Sequence, residues 1–145
     1  MKPKPLLELT AKQQELVSAA LRHVRDARHL FDPANAERSI DQAFHLAGFG
    51  PECMRKALLG DRVYDRGLGH RFDTRVEELL EAILALDPLA RRYYPKDWAR
   101  RWPAFDGWTE QARYEPTGRR TEGEAAPLVS QASDAVHRTL AALWA

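Results

Sequence analysis

Apolar positions recur at helical spacing along most of the chain. Thr10 carries the oxygen that an N-cap needs, and Leu16, Ala20, Val24, Ala27 and Phe31 follow at steps of three and four, which predicts a helix over about residues 11 to 30. Asp32 and Pro33 read as the N-cap and first position of a second helix, whose inner stripe holds Ile40, Ala43, Phe44 and Ala47. This helix enters AFHLAGFGPECMRKALLG, residues 43 to 60, where dense apolar residues are interrupted by His45, Gly48, Gly50, Pro51 and Glu52. A proline in a helix interior removes one backbone bond and crowds the carbonyl four residues back, so a kink or break is expected at Phe49 to Pro51, with residues 52 to 59 continuing as a second piece. Gly60 reads as the residue that ends it. After a loop of about a dozen residues, TRVEELLEAILAL forms a third amphipathic pattern, with Val76, Leu79, Leu80, Ile83 and Leu86 on one face, stopped by Asp87 and Pro88.

Residues 88 to 123 differ in kind. They carry Trp98, Trp102 and Trp108 together with Pro88, Pro95, Pro103 and Pro116, and allow only short helices around 89 to 94 and 97 to 102. From about Pro127 a last helix returns, with Leu128, Ala132, Ala135, Val136, Leu140 and Leu143 facing inward. No alternating run and no internal repeat is present. The expectation is therefore a single all-α domain over residues 1 to 145, an up-and-down antiparallel bundle of four to five helices with an irregular aromatic insertion.

Composition narrows the function classes. A formal net charge of +1 gives no global pull toward nucleic acid or a membrane, so any such role must rest on local clustering. Cys53 is the single cysteine, which rules out a disulfide within the chain and a cysteine-based zinc site. Neither a metal nor a cofactor is implied: HExxH and EF-hand patterns are missing, and Gly67-Leu68-Gly69 lacks the lysine of a phosphate-binding loop. No window approaches the ~18 apolar residues of a membrane span and the N-terminus shows no signal peptide, so a soluble, cytoplasmic protein is expected.

The stretch AFHLAGFGPECMRKALL resembles the signature helix of the HEPN domain family, with Ala43, His45, Leu46, Ala47, Gly48, Phe49, Glu52, Lys56, Ala57 and Leu58 in step. GHRFDTRVEELL and WTEQARYEP are similar to further family segments, so the likeness covers roughly residues 11 to 143; Gly50-Pro51 departs from the pattern. The resemblance implies the same helical bundle, a homodimer, RNA or a nucleotide as ligand, frequent pairing with a small nucleotidyltransferase, and a toxin-antitoxin, defence or RNA-processing setting.

Many members resemble metal-independent ribonucleases in which four to six residues separate an Arg from a His. Such a pair suits RNA cleavage, since His can move the 2′-hydroxyl proton and Arg can steady the phosphate. Arg22 with His29 and Arg38 with His45 both match, but the abundance of arginine alone predicts about 1.8 such matches. Arg38 and His45 are the preferred catalytic pair because they run into the signature. Glu52, Lys56 and His70 are assigned to a nucleotide or polar pocket; the plainer alternative is that Glu52 and Lys56 form an i,i+4 ion pair and that His45 and Glu52 satisfy buried groups. In LARRYYPKDWARRW, Arg91, Arg92, Lys96, Arg100 and Arg101 alternate with Tyr93, Tyr94, Trp98 and Trp102, the mixture that phosphate attraction and base stacking require. Its alternative is that Trp98 and Trp102, after an Asp97 N-cap, plug the bundle while the arginines stay solvated. Two functions thus stand against each other: RNA binding or cleavage, and a non-catalytic nucleotide- or partner-binding module or structural adaptor.

Overall fold

The computed structural model describes residues 9–59 and 97–144. Helix α1, Ala11–Phe31, starts where Thr10 predicts, because Thr10 and Gln13 close a capping box: Gln13 N donates to Thr10 Oγ1 at 3.2 Å and Thr10 N to Gln13 Oε1 at 3.0 Å. Val17, Ala20, Val24 and Ala27 form its buried stripe, with Leu16 and Phe31 partly covered. It ends at Asp32, whose backbone is extended as the residue before a proline prefers.

Asp32 and Pro33 do not open the second helix, which corrects the expectation. The Asp32 carboxylate accepts from Ala34 N at 2.9 Å and the Asn35 side chain accepts from Glu37 N at 3.0 Å. These short polar groups bond the backbone locally and offer it turns in place of a helix. Helix α2, Ile40–Leu59, begins only when Ser39 Oγ accepts from Gln42 N at 3.2 Å.

Nor does Pro51 break α2, which runs uninterrupted to Leu59. The missing amide forfeits the bond to the Ala47 carbonyl, at a cost of ~3 kcal/mol in an isolated helix. Burial offsets it: Ala43, Phe44, Ala47, Met54, Ala57 and Leu58 are in the core, and Pro51 is itself among the fully buried side chains. Gly50 sits where a Cβ would lie 2.4 Å from Val24 Cγ1, so its bare backbone lets α1 close on α2. Gln13 at the start of α1 donates to the Ala57 carbonyl near the end of α2 at 2.9 Å, which fixes the two as antiparallel.

The predicted third helix with Val76 to Leu86, the loop before it and the short 89 to 94 helix lie outside the described residues. Beyond them, helix α3, Trp98–Arg101, starts after Asp97, whose left-handed backbone (φ 58°) leaves its side chain making no cap bond. Two 3₁₀ turns follow, Pro103–Gly107 and Glu110–Tyr114. Helix α4, Glu122–Trp144, starts five residues before the predicted Pro127. Thr121 and Glu124 form a second capping box, with Glu124 N donating to Thr121 Oγ1 at 3.2 Å and Thr121 N to Glu124 Oε1 at 3.3 Å, so Pro127 falls inside the second turn.

The N-terminal end of α4 lies beside that of α2: Asp41 accepts from Gly118 N at 2.8 Å and from Arg120 N at 3.0 Å. Further along, Gly50 of α2 meets Val136 of α4. The two helices therefore run parallel, and α1 runs against both. All regular structure among the described residues is helical, with α1, α2 and α4 sharing one core that Trp98, Trp102, Phe105 and Trp108 extend.

Candidate functional site

The preferred catalytic pair does not assemble. Arg38 precedes α2, donates from Nε to the Phe31 carbonyl at 2.8 Å, pairs with Glu122 and lies 5.1 Å over the Phe31 ring. It is a staple joining the end of α1 to the start of α4. His45 points elsewhere. Its ring meets Phe49 edge-on at 5.1 Å, and both its nitrogens are buried without a hydrogen-bond partner among the described residues. Burial, then Arg113 and His23, push its pKa below the ordinary histidine value. The Arg38–His45 assignment is therefore corrected: among the described residues these side chains share no partner.

Glu52 is buried and Lys56 pairs with it one turn on, as the plainer alternative expects. His70, Arg91, Arg92, Tyr93, Tyr94 and Lys96 lie outside the described residues. Trp98 and Trp102 are 0% and 4% exposed, and with Phe105 they form an aromatic cluster, the Trp98 and Trp102 rings 5.1 Å apart. Neither offers a face to a base, so their assignment as stacking platforms is corrected. Arg100 and Arg101 are exposed on the other side of that turn. Cys53 is half-buried, and burial followed by the Glu52 charge pushes its thiol up to about 11, too high for a nucleophile at neutral pH.

Sequence reasoning missed Trp108. Its indole occupies the space of a Gly48 side chain, since a Cβ there would stand 2.0 Å from two of its ring carbons. Its Nε1 donates to the His45 carbonyl at 3.0 Å and its ring packs against Phe49 at 5.0 Å. Gly48 thus exists for an indole arriving from sixty residues further along, not for a neighbouring helix. Arg55, fully buried in α2, was also missed, and nothing in the spacing marks it.

A groove of about 1590 Å³ opens between α1 and α4. Arg22, Arg25 and Arg28, at three-residue steps, project from one ridge of α1 and line it together with His29. Ser130, Ser133 and His137 line it from α4, above Val17, Val24 and Val129, which are buried. Among the described residues Arg22 and Arg28 have no ion-pair partner, and Arg25 has only its exposed neighbour Asp26, at 3.3 Å. The acids on the rim are engaged. Asp134 accepts from Trp102 Nε1 and from Arg138 Nε, both at 2.9 Å, which holds its carboxyl below the usual range, and Asp32 is tied into its own turn. His137 Nδ1 stands 2.8 Å from the Ser133 carbonyl, which can only accept, so the proton of that bond sits on Nδ1. The groove presents arginine donors and polar side chains above an apolar floor, a surface suited to an anionic ligand.

Among the described residues no helix is long and apolar enough to cross a membrane, and no three His, Cys, Asp or Glu converge as metal ligands. Comparison of the chain with protein-family models, curated proteins and solved structures finds no match.

Proposed function

We propose that this chain is an HEPN-like helical module that binds RNA, holding its phosphate backbone in the α1–α4 groove. The observation that carries the reading is the ladder of Arg22, Arg25 and Arg28 along one wall of the groove that His29 also lines, two of them unpaired among the described residues. Phosphate is the ligand chemistry that such a ladder favours, because each guanidinium gives paired donors and a charge that the acids of the groove leave uncompensated. Homodimerisation and pairing with a nucleotidyltransferase belong to the proposal through the resemblance of the signature helix. Arg100 and Arg101, exposed on the aromatic insertion, are a second basic patch.

The test is binding of fluorescent single-stranded RNA over a salt series. The chain should bind with a log–log salt slope that flattens by about 2 when Arg22, Arg25 and Arg28 are all changed to Gln, at roughly 0.7 for each phosphate no longer neutralised. Unchanged affinity and slope in that variant would remove the groove as the site.

A further inference from the structure

The segment from Pro103 to Tyr114 lies as a strap first against α4, where Ala104 N donates to Gln131 Oε1 at 2.9 Å, and then against α2. At each end it is held by carboxylates. Asp134 takes the Trp102 indole, and Asp41 takes the backbone N–H groups of Gly118 and Arg120. Those bonds depress both acids, Asp41 chiefly through the Gly118 amide and Asp134 chiefly through Trp102, so they stay ionised in mild acid. The middle is held differently, by Trp108 lying on Gly48, bonded to the His45 carbonyl and packed on Phe49.

The imidazole of that same His45 touches the same Phe49, with both nitrogens buried and unbonded among the described residues. A neutral ring tolerates this at modest cost, whereas an imidazolium would carry two unmet donors and a charge. The charged groups that face it oppose it. Arg113 comes from the strap itself and His23 from α1, and both repel a proton on His45. His23 flanks Phe49 from the other side at 5.8 Å; burial first and then Arg22 hold its pKa below the ordinary histidine value, while Asp26 and Glu52 act the other way. Glu52 is already paired with Lys56.

We propose that the 103–114 strap is a pH-sensitive latch, closed on α2 through Trp108 while His45 is neutral and opened at its middle when His45 takes a proton. This goes beyond the RNA-binding reading and does not depend on it. The sign follows from the geometry. In the open state His45 meets water and protonates near the ordinary 6.5, while in the latched state it does so only at lower pH. Opening is therefore favoured as pH falls below about 6.5, growing up to tenfold per pH unit between the two midpoints. The ends hold throughout, since Asp41 and Asp134 lose their charge only at still lower pH.

The experiment is NMR-detected hydrogen exchange on the full chain between about pH 7.5 and about pH 5, corrected for intrinsic rates. The Trp108 indole N–H is identified by its loss in Trp108→Phe. Its exchange, with that of amides 103 to 114, should accelerate on acidification, by no more than about tenfold per pH unit, while amides of α1 stay protected. His45→Gln should erase the acceleration, and His45→Phe serves if the Gln variant fails to fold; His23→Gln should keep it. Exchange at Trp108 that is flat across this range overturns the latch. So does an acid response that survives both His45 variants, or one that disappears with His23 alone.

Discussion

Helix α2 is covered by α1, by α4 and by the strap, whereas α1 closes on α2 along one face and leaves a groove beside α4 along another. The sealed contacts are made by small residues, Ala20, Ala27, Ala43, Ala47 and the two glycines, which bring backbone and ring within touching distance. The open one is lined by arginines, whose long stems and charged heads keep the helices from closing. One helix can thus present a core on one face and a groove wall about a third of a turn away, because successive residues step by about 100°. Side-chain size, not helix propensity, decides which face closes.

The sharpest way to break the contrast is to empty a sealed contact. Trp108→Ala should lower stability by ~3–5 kcal/mol in urea unfolding, the usual cost of removing a buried tryptophan. Overfilling the same place should cost less, ~1–3 kcal/mol for Gly48→Ala, since the new methyl meets the indole. In the Trp108→Ala background the sign should reverse, and Gly48→Ala should stabilise by up to ~1 kcal/mol as an ordinary helix substitution. An additive double mutant would show that Gly48 is not there for the indole. Arg38→Ala comes next, at ~1–2 kcal/mol for its charged bond to the Phe31 carbonyl. A loss of RNA binding without loss of stability would instead return Arg38 to the functional residues. Smallest of all, the Arg22, Arg25 and Arg28 changes to Gln that test RNA binding should leave stability within about 0.5 kcal/mol. A large drop would mean that the open wall is holding the fold together.

The same division explains what is legible in the sequence. Stripes are local, so the faces of α1 and α4 can be read from three- and four-residue steps, and Thr10 with Gln13 announces a true start. Starts governed by competing local bonds mislead. Asp32-Pro33 looks like a helix opening until its carboxylate turns to Ala34, and Pro127 masks the true cap that Thr121 and Glu124 form upstream. Backbone chemistry alone misjudges Pro51, because it leaves out the core that surrounds the residue. The candidate site is the least legible part. Arg38 and His45 are seven positions apart in the chain, but one lies before the helix and the other within it, so spacing does not become proximity. The groove joins walls about a hundred residues apart, and no short motif encodes it.

The parallel course of α2 and α4 bears on the order in which the molecule assembles. The α1–α2 hairpin closes through the bond from Ser39 N to the Leu30 carbonyl, a loop of nine residues whose entropy is about 2 kcal/mol. Docking α4 through Arg120 on Asp41 closes a loop of 79 residues, at about 4 kcal/mol before any contact returns it. The hairpin is thus the natural early unit and α4 the late arrival. The groove, having one wall from each, is among the last features of the chain to exist, and an anion that binds there selects molecules that have finished folding.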